Sequence, residues 1–233
     1  MLIYLTLAYL SSTVGTCSVL ITRQLSEKVM SFLYGSAAGI MMAACFLSLL
    51  TPSLESHNIY VVAWFLGGVF LVMALDHIIP HESALTHEVE GLNLNLGKCT
   101  KLLLTMTMHN LVQGLALGMS FSNMIGIGLC LQNLPEGAAT ALPLWDFFRS
   151  KRKCFLLSQL LSFIEVPACF IGYLLKDYLN HMIYELLAFS AGILLYTIIE
   201  EIIPDAWSHH HRPLATFALF LGFSLMLLLN FLV

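Results

Sequence analysis

Two six-residue stretches carry groups able to hold a cation: His109-Asn110-Leu111-Val112-Gln113-Gly114 and Gln132-Asn133-Leu134-Pro135-Glu136-Gly137. In each, the first and fifth residues are four apart and share a helical face, with the second residue one step round. Pro135 removes a backbone donor and disturbs the bond to the carbonyl four residues back, so the Leu131 oxygen needs another partner or becomes a ligand. Glu165-Val166-Pro167 repeats the combination of carboxylate and proline and frees the Phe163 carbonyl in the same way. A lone Asn or His in an apolar helix usually bonds a neighbouring helix for about 0.6 kcal/mol. Two carboxylates, an imidazole and four carboxamides grouped together ask for more than packing. No Lys or Arg lies at the centre of an apolar segment, so Glu136 and Glu165 must be protonated, hydrated or bound to a cation. Together they balance one divalent metal, and His, carboxylate and amide donors suit zinc or a neighbouring transition metal better than calcium.

The segments that must position these groups are membrane spans. The 233 residues are 58% hydrophobic and only 10% charged, with mean hydropathy +0.84, where a soluble domain carries roughly a quarter charged residues. At about 20 residues per span, the chain divides into eight, at 2–22, 30–50, 59–79, 101–121, 124–145, 154–175, 182–204 and 213–233. Of the ten basic residues all but Lys176 fall on odd-numbered turns. Lys and Arg collect on cytoplasmic loops, so odd turns are expected inside and both termini extracytoplasmic. The turn Ser120-Phe121-Ser122-Asn123 makes the fourth and fifth spans antiparallel. Their two motifs then sit at one depth, related by a pseudo-twofold axis in the membrane plane, an arrangement that builds midplane sites in transporters. The expected fold is an all-α membrane protein, a single transmembrane domain over residues 1–233.

Beyond the midplane, Glu200 and Glu201 lie one turn from the cytoplasm, before Pro204 and Asp205, where a cation moving inward would meet them. His209, His210 and His211 follow as a short histidine tract. Glu55 and His57 could greet a cation outside, although an ordinary polar turn explains them as well. Asp76, His77, His81, Glu82, His87, Glu88 and Glu90 are candidate exchanging contacts near the third turn; their spacing matches no closed zinc site and no HExxH protease motif. Small residues on the second span, Gly35 to Ala44, read as a helix-packing face. Six cysteines without CxxC spacing imply neither disulfides nor redox work. The net charge of -4 leaves no nucleic-acid footprint. The first segment lacks a basic leader and is long enough to remain as a span. No arrangement of nucleophile, base and oxyanion donors is evident, so the protein is not expected to be an enzyme.

The residues His109-Asn110, QNLPEG from Gln132 to Gly137, Glu165-x-Pro167 and the AG…EEIIPDA run from Ala191 to Ala206 give the chain a family resemblance. It resembles the ZIP (Zrt/Irt-like) divalent-metal transporters, most of all their GufA-like bacterial branch, over nearly all eight spans. The resemblance implies an eight-helix bundle, alternating access and a midplane binuclear centre built by the fourth, fifth and sixth spans. Zinc, or another divalent metal, would be cargo, with no prosthetic group. One metal would be held by His109, Gln113, Gln132 and Glu136, the other by Asn110, Asn133 and Glu165, with Glu136 bridging. Where the family motif reads HNxPEG, this chain has Val112 for proline and Gln113 for glutamate, one kink and one carboxylate fewer. The implied partners are a divalent metal ion and the lipid bilayer of a cell membrane, a bacterial inner membrane in this branch, and a homodimer is compatible with them. Two other functions fit the same residues: a metal-sensing or otherwise non-transporting relative, and a carrier of another solute that uses Glu136 and Glu165 as proton relays.

Overall fold

In the computed structural model the described residues are 2–21, 26–78, 81–82, 89–90, 98–119, 123–142, 144–178, 182–208 and 211–232. They are helical almost throughout: α1 (Leu2–Thr16), α2 (Ser18–Ile21), α3 (Glu27–Cys45), α4 (Thr51–Glu55), α5 (Tyr60–Ile78), α6 (Lys98–Met119), α7 (Asn123–Ala141), α8 (Leu144–Phe148), α9 (Lys151–Phe163), α10 (Glu165–Tyr178), α11 (Ile183–Thr197), α12 (Ile203–Trp207) and α13 (Arg212–Leu232). The all-helical expectation holds, with one short extended pairing among the described residues outside the helices. Two-residue strands β1 (His81–Glu82) and β2 (Val89–Glu90) pair antiparallel, His81 opposite Glu90, because their backbones lie beyond the helix ends and must find partners in one another. Of that candidate cluster, His87 and Glu88 lie outside the described residues.

Among the described residues five stretches are long and apolar enough to cross a membrane: Leu2–Ile21, Glu27–Glu55, Lys151–Lys176, Ile183–Trp207 and Arg212–Leu232. Tyr60–Ala74 is a shorter apolar helix. α6 and α7, with 22 and 19 residues, reach roughly 33 and 28 Å at the helical rise of about 1.5 Å per residue. Large apolar side chains face outward, as a hydrocarbon solvent requires: Phe217, Phe220, Leu228 and Phe231 on α13, Leu66 and Phe70 on α5, Phe170 and Leu174 on α10.

Two helices are not straight. α3 runs into α4 through a π-helical turn at Phe46–Leu50, and α11 runs into α12 through another at Ile198–Ile202. Each turn stands just before a proline, Pro52 or Pro204. Neither proline can donate, and the residue before it reaches five residues back: Thr51 N–H to Phe46 O, Ile203 N–H to Ile198 O. The expected sixth span is likewise divided, α9 ending and α10 beginning at Ile164, three residues ahead of Pro167.

The helices pack in four intimate pairs, α1 with α7, α3 with α13, α5 with α11 and α6 with α10. Every pair is closed by glycines on both partners that leave no room for a Cβ against a facing backbone carbonyl. Gly15 meets Leu134 O and Gly137 meets Ser12 O; Gly39 meets Leu219 O and Gly222 meets Ser36 O; Gly68 meets Phe189 O and Gly192 meets Phe65 O; Gly118 meets Cys169 O and Gly172 meets Leu115 O. The packing face expected on the second span is this contact of α3 with α13. A polar seam adds to the first pair: Ser11 Oγ donates to Cys130 O at 2.5 Å, and Thr13 Oγ1 donates to Gln159 Oε1 at 2.8 Å on α9.

Gly67 and Gly68 separate close approach from mere smallness. A Cβ at Gly68 runs into Phe189 O, whereas one at Gly67 meets only the Phe189 ring at 3.8 Å. Gly68→Ala is therefore expected to cost about 1–3 kcal/mol through overpacking, and Gly67→Ala to be neutral or slightly stabilising. Thermal unfolding of the two purified variants beside wild type checks this, and equal effects would contradict the packing assignment.

Candidate metal site

The cluster is assembled by packing before any polar contact is considered. Gly114, closing the first motif, lets α6 approach the backbone carbonyl of Glu165 and the Cβ of Ala168 on α10. Gly137, closing the second, seats α7 on α1. The motif glycines thus fix α6 against α10 and α7 against α1.

Asn110, Gln113, Gln132, Asn133 and Glu165 are all buried, none more than 5% exposed, and Glu136 is half-buried. Asn133 Nδ2 donates to Glu165 Oε2 at 3.0 Å and joins α7 to α10. The one-residue interruption at Ile164, itself in helical conformation, places Glu165 in the first turn of α10. Asn110 Nδ2 donates to Met106 O on its own helix at 2.8 Å, which orients the amide and leaves its oxygen for another task. Thr140, one turn beyond Glu136, lies within hydrogen-bond reach of the Glu136 carbonyl at 2.9 Å and of Met106 Sδ at 3.5 Å.

Gln113 is the exception. Neither atom of its buried amide has a hydrogen-bond partner among the described residues, and Asn133 Oδ1 has none there either, although an orphaned buried polar group costs about 1–3 kcal/mol. Gln113 and Gln132 instead line a cavity of about 40 Å³, enough for a water or a largely dehydrated cation, since one water needs roughly 10–15 Å³. Apolar side chains complete its wall, among them Leu117 and Leu129, together with Met41 and Cys45 from α3.

The remaining sequence candidates are distributed as follows. The His109 backbone belongs to α6, and its side chain lies outside the described residues, as does that of Glu201. Glu200 is on the second π turn and exposed, apart from the buried cluster. Glu55 and His57 are exposed, His57 in a left-handed conformation with φ 53°; His209 and His210 lie outside the described residues. Among the described residues no three His, Cys, Asp or Glu side chains converge on one point, so what is visible of the site is rich in amides. Sequence reasoning passed over Met41 and Cys45, whose four-residue spacing was the available signal. It also passed over Tyr34, buried in the core beside Ala138 and Ala206. Nothing in the hydrophobic pattern marks that tyrosine.

A multi-pass helical protein with lipid-facing walls and a polar cluster shut inside its bundle is an integral membrane protein with an internal site for a polar or charged species. Comparison with known proteins narrows the class. Residues 80–230 match the family model described as ZIP Zinc transporter. Zinc transporter GufA of Myxococcus xanthus is 31% identical, over 96% of this chain and 95% of its own length. Zinc transporter ZupT of Chlorobium phaeovibrioides is 29% identical over 95% and 93%, and zinc transporter ZIPB of Bordetella bronchiseptica 28% over 95% and 77%. The chain belongs to the ZIP family of divalent-metal transporters, multi-pass proteins of the cell membrane.

The contact between Asn133 and Glu165 can be measured directly. A double-mutant cycle with Asn133→Leu and Glu165→Gln, read by chemical or thermal unfolding, is expected to give a coupling of about 0.5–3 kcal/mol, the range for residues that share a bond. Additive effects would remove this hydrogen bond from the account of the site.

Proposed function

We propose that this protein carries a divalent metal, zinc in the first place, toward the cytoplasm through a midplane site contributed by α6, α7 and α10. One transmembrane domain over residues 1–233 forms the path, with eight spans and both termini extracytoplasmic, as the distribution of basic residues favours. The observation that carries this reading is the burial of Gln113, Gln132, Asn133 and Glu165 on α6, α7 and α10, the first two on the wall of a small cavity, in helices whose middles hold no basic residue to neutralise a carboxylate. The names of the relatives supply zinc. His109, Gln113, Gln132 and Glu136 are assigned to one metal; Asn110, Asn133 and Glu165 to the second, with Glu136 between them. Glu200 and Glu201 are assigned to the inward route. The same surfaces leave a homodimer open to test by size in detergent.

An amide oxygen binds a cation more weakly than a carboxylate and brings no charge, so Gln113 favours a site less charged than the family motif would build. That one residue also supports a metal-sensing reading, and saturable uptake of radioactive zinc by proteoliposomes decides between the two. Glu136→Ala is expected to abolish uptake in a protein that still folds, because Glu136 adjoins both assigned positions. Wild-type uptake in that variant would move the site elsewhere. Glu165→Ala is expected to slow transport with a smaller loss of affinity.

Gln113→Glu tests the departure itself. It returns a carboxylate four residues from His109 on the same helical face, and is expected to tighten divalent binding by one to two tenfold steps, each worth about 1.4 kcal/mol. Protons compete with metal for the added carboxylate, so the gain should shrink at pH 6 relative to pH 8. Metal titration of both proteins at the two pH values measures this; identical affinity, stoichiometry and pH dependence would show that Gln113 is no ligand.

A further inference from the structure

Part of the cavity wall is chemically distinct from the amides. Met41 and Cys45, four residues apart on α3 and therefore on one face, both line it with Gln113 and Gln132. Both are buried, Met41 4% and Cys45 2% exposed. Among the described residues the Cys45 thiol makes one bond, Sγ donating to Ala191 O at 3.5 Å, and because S–H is a weak donor a metal could replace it at small cost. The same wall includes Gln113, 5% exposed, both of its amide atoms lacking partners among the described residues. A thiol, a thioether and two carboxamides thus line one space that admits a largely dehydrated cation, a mixed donor set.

We propose that Cys45, supported by Met41, is a specificity-determining ligand that gives this cavity a sulfur face, so that the protein prefers soft and borderline cations, cadmium and zinc, over hard ones such as manganese. The proposal rests on the reading of the cluster as a metal site. Thiolate and thioether ligands select for softness, while carboxylate and amide oxygen suit hard ions. As the cation enters, the S–H bond of Cys45 breaks, a metal–sulfur bond forms, and the proton leaves to water; a thiol that coordinates such an ion gives up its proton. The bound thiolate returns one negative charge to the cavity where Gln113 supplies none. Cys169 is equally buried but is not part of the cavity wall, which makes it an internal control.

The test uses the purified full-length protein titrated with cadmium, followed in the ultraviolet for the thiolate-to-metal charge-transfer band, with manganese titrated in parallel. Wild type and Cys169→Ser are expected to show the band. Cys45→Ser, whose hydroxyl can keep the bond to Ala191 O, and Cys45→Ala are both expected to lose it. In Cys45→Ser cadmium affinity should fall about tenfold, the order expected for one lost ligand, while manganese affinity stays unchanged. A band that persists in both Cys45 variants, or its absence from wild type, overturns the proposal. Zinc uptake by wild-type proteoliposomes is scored separately: uptake without the band rejects the sulfur ligand alone, and the band without uptake rejects transport alone.

Discussion

Contact between glycine and a facing backbone carbonyl is the constraint on which this bundle depends. Lipid tails are as apolar as leucine, so burying leucine between two helices gains little in a membrane; close backbone approach, dispersion and weak Cα–H···O contacts have to hold the pairs. All four intimate pairs solve this alike, with a glycine from each partner pressed on the other's carbonyl. Two of those glycines, Gly114 and Gly137, also end the polar motifs. The residues that fix the spacing of α6 against α10 and of α7 against α1 are thereby next in sequence to those that present amide and carboxylate. A shift in either helix pair would move donors by the same amount, which ties the geometry of the cluster to the packing.

The pairs are also related to one another. α1 with α7 corresponds to α6 with α10 when α1 is matched to the divided helix α9–α10 and α6 to α7. Under the same matching α3 with α13 corresponds to α5 with α11. The two π turns fall into place, each ending one residue before the Thr51-Pro52 or Ile203-Pro204 step. Proline imposes the same backbone exception at both places, and the five-residue bond ahead of it satisfies the donor next to the break. This pairing agrees with the inverted repeat that the paired polar motifs suggested.

How much of this was legible in the sequence depends on whether the signal was local. Hydrophobic length located most helices within a few residues, since about 20 apolar residues in a row have few other uses. The chemistry of the buried cluster was legible because Asn, Gln and Glu are conspicuous among leucines. The break at Ile164 was not, although its cause was in view: Pro167 was read as freeing a carbonyl, yet it also accompanies a new helix start that puts Glu165 in a first turn. The π turns were missed for a similar reason, as a proline near a helix end is ordinarily a stop signal, and only packing on both sides keeps α3–α4 and α11–α12 continuous. Met41 and Cys45 were invisible as ligands because sulfur side chains are also good core residues; only the cavity they share with Gln113 sets them apart.

The matched helices pair alike but carry different side chains. Aligning the two proline steps matches Met41, Cys45 and Leu49 on α3 and its π turn with Ile193, Thr197 and Glu201 on α11 and its own. The first set lines the cavity. In the second, Ile193 is a core residue and Thr197 spends its hydroxyl on the Ile193 carbonyl at 3.1 Å. A perfectly twofold protein would offer a cation identical surroundings on both approaches to the centre. Differences in how a cation is held from the two sides can arise at such substituted positions. There, sulfur on one half corresponds to aliphatic, hydroxyl and carboxylate groups on the other, and the two halves differ in hardness as well as in charge.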